Sequence, residues 1–511
     1  MTLFLLSLLP FLILFVMLIP LRRPAYEAAP VSYIVTLILA LFVWQVSGAA
    51  VAASLVNALI VFIEVLLIIS VALLLLNVMI ETGTLDTIKT AMAKLTTDNR
   101  VLAMLLAWGL VGFIEGIAGF GTPAVLAAPL LVYFGLAPLK AVAVALIGNS
   151  TAVPFGAAGT PVIIGFAGLG FSEDVVASAV FQAAAIHGAM SVFITCFIAY
   201  VVTLGEDRGR FRTFMPFAIF SALAFSIPYV LIAFFVGPEL PSILGGMIAL
   251  AAIAYAAQRG FLLRAEMRTS EAGTVSLAGM VKSVTPFVVM ALALVISRTI
   301  PSVREALSDL TISFGEVLGI ALDQELAPLY TPYFYLGLAL MTAILLQKVS
   351  RTAFAQAAVA TYRRVRTASI ILIFIIGITQ LLLISEINHA GLPSMPQVLG
   401  DGFASVLGGG FVVFSPFLGA LGTFMTGSAT VSNLLFAGVQ SDTAGALEVA
   451  TASLIALQLV GAGLGAMISL HNIAMAAAAA GLEAREGQVI RQTIVPVLVV
   501  CSAAGIVLLF W

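Results

Sequence analysis

The sequence predicts an all-α polytopic membrane protein with about twelve transmembrane helices, two re-entrant hairpins and two inverted repeats containing broken helices. Three observations carry this reading. Of 511 residues, 62% are hydrophobic and 9% charged, and the mean hydropathy is +1.19; soluble domains carry about 25% charged residues. Lys and Arg fall outside the apolar runs or at their ends. Gly and Pro, mixed with Ser, Thr, Asn and one carboxyl group, interrupt stretches that would otherwise span. In hydrocarbon a broken helix leaves backbone groups unpaired, so such breaks survive only against protein or beside a wet cavity.

A spanning helix needs about 20 apolar residues. Full crossings on that template lie near 3–20, 30–48, 54–80, 138–168, 175–204, 212–236, 240–258, 284–300, 330–347, 367–386, 446–481 and 489–511. The first has no preceding positive region and no convincing small-residue cleavage site, so it reads as a helix and not as a cleaved leader. Stretches 101–136 and 408–441 are apolar but interrupted at their centres, as expected of hairpins that enter and leave by one face.

Charge order sets the topology. Basic clusters follow the first, third, fifth, seventh and ninth spans (for example Arg22 and Arg23; Arg208, Arg210 and Arg212; Arg363, Arg364 and Arg366), while the intervening loops are acidic or nearly neutral. The basic loops are then cytoplasmic and both termini outside. Residues 30–204 read span, span, hairpin, broken span, span, and 330–511 read the same way with opposite orientation. The predicted organisation is an N-terminal half, 1–204 (hairpin 101–136, broken helix 138–168); connecting helices 205–329 with a cytoplasmic linker at 258–282; and a C-terminal half, 330–511 (hairpin 408–441, broken helix 446–481).

The candidate site residues sit at the breaks. Glu115 lies among Gly112, Gly116, Gly119 and Gly121. An ionisable group inside a membrane segment is expensive, which makes it the leading candidate to couple a proton; the competing reading is a protonated structural acid bonded to broken backbone. Asn149, Ser150 and Thr151, with Thr122 at the first tip, are candidates to hold carboxylate or hydroxyl oxygens, and equally suit capping of a kinked helix. Thr426, Ser428, Thr430, Ser432 and Asn433 at the second tip, and His471 and Asn472 at the later break, are candidates on the same grounds. His187 is a further proton-coupling candidate, although a lone His on an apolar helix is more often a packed core residue. Glu64, mid-span without helix breakers, reads as a helix–helix contact. Helix N-termini meeting at four breaks would each carry about half a positive charge, which suits a small anion.

Several classes are excluded. A net charge of −2 gives no basic footprint for nucleic acid. Cys196 and Cys501, both in apolar spans, imply neither a disulfide framework nor a metal site, and no cofactor is expected. Gly408, Gly409 and Gly410 lack the Lys-Ser or Lys-Thr of a phosphate loop. No nucleophile–base pair is legible, so the protein does not read as an enzyme.

FIEGIAGFGTPAVLAAPLLVYFGLAPLKA followed by IGNSTAVPFGAAGTPV, GPELPSI at 237–243, SPFLGALGTFMTGSATVSNLLFAGVQ and MISLHNIAMAAAAAGLEAREGQVIR resemble, in family order, the L-lactate permease family of bacterial 2-hydroxy-monocarboxylate transporters. The resemblance implies a multi-pass inner-membrane protein that takes up L-lactate, D-lactate or glycolate with a proton, a homodimer being compatible with it. Its partners would be a small organic anion, a proton and membrane lipid. The sequence departs from the family at the second tip, where Ala429 stands in place of an Asp, and at both broken spans. Two alternatives follow: a transporter of another organic anion, and a cation–proton antiporter on the same architecture. The missing tip carboxylate weighs against the latter.

Overall fold

The computed structural model describes residues 2–509 except 19, 22, 24, 85–95, 97, 120, 168, 206–207, 265–276, 322–324 and 483–484; the middle of the linker expected at 258–282 lies outside them. Among the described residues twenty helices follow one another. In the N-terminal half, α1 is Thr2–Leu18, and α2, Ala25–Ile38, continues into a π turn at Leu39–Val43. Helix α3, Gly48–Glu81, is opened by Ser47, whose hydroxyl accepts from the Ala50 N–H at 3.1 Å. Helix α4, Asn99–Ala118, is buried from Arg100 onward. It stops at Gly119 (φ 57°), and Gly121 (φ 73°) leads into α5, Thr122–Tyr133. These left-handed residues reverse the chain within a few positions, and Pro123 pre-sets the first turn of α5. Helices α6, Pro138–Asn149, and α7, Gly156–Ile163, are separated by a short turn and bent by 57°. Helix α8 is Glu173–Thr203.

The connecting segment holds α9 (Arg208–Phe235), α10 (Pro241–Arg259), α11 (Leu277–Thr299) and α12 (Pro301–Ser308), the last turned 95° from its predecessor. This segment is not purely helical as expected. Two small antiparallel ribbons occupy 312–326: β1 (Ile312–Ser313) pairs with β4 (Glu325–Leu326), and β2 (Glu316–Val317) with β3 (Ile320–Ala321). Leu318 (φ 55°) and Gly319 (φ 78°) give the two-residue left-handed turn that matches strand twist, and alternating polar residues offer no helical face.

The C-terminal half comprises α13 (Pro332–Gln347), α14 (Arg351–Ile384), α15 (Met395–Leu407), α16 (Phe411–Thr426), α17 (Ala429–Ala446), α18 (Thr451–Gly465), α19 (Leu470–Ala479) and α20 (Glu486–Leu509). Helix α15 precedes the pair α16 and α17. Among the described residues nine helical stretches are long and apolar enough to cross a bilayer, or up to eleven with each bent pair counted as one span. Predicted crossings 3–20, 330–347 and 367–386 correspond to shorter apolar stretches, Thr2–Met17, Tyr333–Gln347 and Ser369–Ile384.

The interior is built from α4, α6 and α18. Helix α10 comes so close to α4 that a Cβ on Gly246 would lie 2.2 Å from the Phe113 nitrogen. In membranes, where apolar burial does not distinguish helix from lipid, such small-residue contacts hold helices together. Across the halves, Asn57 Nδ2 donates to Gln380 Oε1 (2.7 Å) and Asn77 Nδ2 to Thr361 Oγ1 (2.9 Å), fastening α3 to α14.

Candidate functional site

Residues from both hairpin tips and from both helix breaks line one small cavity. The polar side chains in its lining are Glu115, Asn149, Thr160, Ser428, Thr430 and Asn472.

Glu115 reaches it from the last turn of α4, where its carbonyl accepts the Gly119 N–H at 3.0 Å. Gly156, at the start of α7, makes room for it: a Cβ there would sit 2.5 Å from Glu115 Oε1. Asn149, at the end of α6, holds its side chain against the same carboxyl group. Beyond the break the backbone runs left-handed through Ala157 (φ 43°), Ala158 (φ 52°) and Gly159 (φ 79°). For alanine this conformation costs roughly 1–2 kcal/mol per residue. Thr160 Oγ1 donates to the Ala157 carbonyl at 2.5 Å and ties the turn.

The other half contributes the start of α17 and the break before α19. Gly427 (φ 75°) ends α16, and Ser428 caps α17, its Oγ accepting the Val431 N–H at 3.3 Å. Asn472 Nδ2 donates to the Ala466 carbonyl at 3.3 Å. Its Oδ1 points at the first tip, where a Cβ on Gly121 would meet it at 2.5 Å. Three buried oxygens in this lining have no hydrogen-bond donor: Glu115 Oε2, Asn149 Oδ1 and Asn472 Oδ1. In a low-dielectric interior an unpaired polar atom costs about 1–3 kcal/mol, so the arrangement asks for a polar guest.

Of the residues expected at the site, Glu115, Asn149, Ser428, Thr430 and Asn472 therefore meet. Thr122 opens α5 beside Gly121, and its side chain lies outside the described residues. The others are placed differently, for local reasons. Ser150 caps its own helix, donating to the Ile147 carbonyl at 2.8 Å. Thr151 is buried outside the cavity lining, and its carbonyl accepts from Tyr229 Oη at 2.7 Å. Thr426 folds back on the tip, donating to the Gly422 carbonyl at 2.8 Å. His471 is exposed and packs its ring against Gly427. His187 is buried in α8 beside the Val460 backbone, outside the lining. Glu64 is half-buried on α3, also apart from it.

Ser432 and Asn433 belong to a buried network behind the second tip. Gln458 Nε2 lies 3.1 Å from Ser432 Oγ and 3.2 Å from Asn433 Oδ1. Gln440 Nε2 donates to Gln458 Oε1 at 3.1 Å, and Ser415 Oγ to Gln440 Oε1 at 2.8 Å. Asn433 Nδ2 reaches across 272 residues to the Pro161 carbonyl of α7 at 2.8 Å. The hairpin, α18 and the broken helix of the other half are thus joined by satisfied side chains. Sequence reasoning did not single out Gln458 and Gln440; each is an amide within an apolar segment, and that was the available signal. Gly156 carried none, because its role depends on which side chain packs opposite.

Comparison with known proteins agrees with the resemblance. The family model described as L-lactate permease matches residues 3–511. A provisionally named L-lactate permease of Haemophilus influenzae is 30% identical over 533 residues, covering 99% of this chain and 98% of the relative. The L-lactate permease of Escherichia coli is 29% identical, covering 98% and 94%. The glycolate permease of the same species is 26% identical, covering 99% and 95%. A solved structure, the YdaH transporter of Alcanivorax borkumensis, superposes with TM-score 0.43 and 15% identity over 90% of this chain and 88% of that one, a likeness too distant to carry an argument.

Proposed function

We propose that this chain, which belongs to the L-lactate permease family, is a proton-coupled symporter of a small 2-hydroxy monocarboxylate such as lactate or glycolate. Membership makes it a transporter of the inner membrane and not an enzyme; cargo and coupling are the further step. The observation that carries that step is Glu115, 3% exposed, in a cavity lined from both halves of the chain, with Oε2 unpartnered. An ionisable group buried in a membrane segment without a full set of partners is a candidate to carry a proton. An anion entering beside it meets the N-terminus of α17, a site of partial positive charge. Anion and proton together are neutral, which lowers the cost of carrying them through hydrocarbon. The relatives named as lactate and glycolate permeases support the cargo class. The two hairpins opening to opposite faces, in inverted repeats, would allow the site to be reached from either side.

The test is uptake of labelled L-lactate into proteoliposomes under an inward proton gradient at zero membrane potential. Gradient-driven accumulation competed by glycolate is the expected result. Sodium-dependent exchange with no response to either anion would replace this reading with the antiporter.

A further inference from the structure

The polar groups of the cavity lining are of two kinds. One kind is acceptors without a donor: Glu115 Oε2, Asn149 Oδ1 and Asn472 Oδ1, on residues 2–3% exposed. The amide orientations are fixed by their other ends, since Asn149 lies against the Glu115 carboxyl and Asn472 Nδ2 is held by the Ala466 carbonyl. The other kind is donors. In the first turn of α17, Ser428 Oγ takes the Val431 N–H and the Ser428 carbonyl takes the Ser432 N–H at 3.0 Å. The N–H groups of Ala429 and Thr430 precede the first possible intrahelical acceptor, and both residues line the same cavity.

A solute matched to both kinds accepts at one end and donates close by. A carboxylate satisfies the α17 N–H groups. It does nothing for the acceptors, which need hydrogens. A proton on Glu115 answers for that group, and the two amide oxygens remain. A hydroxyl on the carbon next to the carboxylate supplies one hydrogen there, which one amide oxygen takes or the two share; a 2-oxo group or a plain methylene supplies none and leaves both oxygens orphaned. We propose that Asn149 and Asn472 are specificity-determining residues that read the substrate's 2-hydroxyl, so that the site separates 2-hydroxy acids from 2-oxo and unsubstituted acids of equal length. Gly121 serves this arrangement by letting Asn472 Oδ1 approach the first tip. The inference rests on the symport reading above.

The experiment is competition against labelled L-lactate uptake in proteoliposomes by unlabelled lactate, pyruvate and propionate. For the wild-type protein, pyruvate and propionate should compete about 100-fold more weakly than lactate, since sites that bond a hydroxyl reject analogues lacking it by large factors. In Asn149→Leu and Asn472→Leu the ratio should shrink to about threefold, through a raised KM for lactate and an unchanged KM for propionate. Equal competition by all three acids in the wild type, needing no variant, overturns the inference while lactate transport stands. So does an unchanged ratio in both variants. Failure of the folded protein to take up lactate or glycolate at all overturns the symport reading and this inference with it.

Discussion

The two halves of the chain supply similar parts and spend their polar groups in opposite ways. In the N-terminal half the polar atoms at the breaks are left open: Glu115 Oε2 and Asn149 Oδ1 lack donors, and three left-handed residues hold the backbone beside them. In the C-terminal half most polar groups are consumed internally. Ser415, Ser432, Asn433, Gln440 and Gln458 bond one another and the chain, and at the second tip Ala429 brings no polar group. What that half offers the cavity is mainly a helix N-terminus and Asn472. A satisfied buried network rigidifies, while an unsatisfied one awaits a ligand. Under the symport proposed above, the contrast would put proton chemistry in the first half and a rigid anion cradle in the second.

That division can be broken by experiment. The largest effect is expected from Glu115→Gln: proton-driven accumulation of lactate should fall by at least about 100-fold, the scale on which losing a positioned proton carrier acts, while lactate–lactate exchange persists. Accumulation at the wild-type rate would remove the proton role from the first half. Next, Gly156→Ala places a methyl group 2.5 Å from Glu115 Oε1. Overpacking of about 1–3 kcal/mol should lower uptake roughly tenfold with folding retained, read as transport per inserted protein. Third, Gln458→Leu leaves Asn433 Oδ1 without a donor, at about 1–3 kcal/mol, and takes one partner each from Ser432 and Gln440. It should lower the melting midpoint in detergent more than it lowers uptake per folded molecule; the reverse ranking would place the chemistry in the second half. The smallest effect is expected from Thr423→Val, which removes a buried hydroxyl that has no partner. Stability should stay level or rise by ~0–1 kcal/mol, as checked by the same melt.

Much of the site was legible because it violates the composition around it. Glu115 is a carboxyl group in an apolar run, Asn149 and Asn472 are amides at Gly- and Pro-marked breaks, and a polar group in a membrane segment needs a reason. Ser432 and Asn433 carry the same signal, yet they serve the network. Composition reports that a polar atom must be satisfied and says nothing of whether protein or ligand satisfies it. His187 illustrates the same limit, since its burial beside Val460 follows from how α8 packs on α18.

The sequence by itself determined that the chain is a polytopic helical membrane protein, where its helices break and which side chains sit at the breaks. Those are local consequences of hydropathy, glycine and proline. The tertiary structure alone decided which breaks share a cavity, that Gly156 yields to Glu115 and Gly121 to Asn472, and that Asn433 spends its amide on Pro161 in the other half. These are contacts between residues far apart in the chain. They are fixed by close packing in three dimensions, for which no single stretch of sequence carries a local signature.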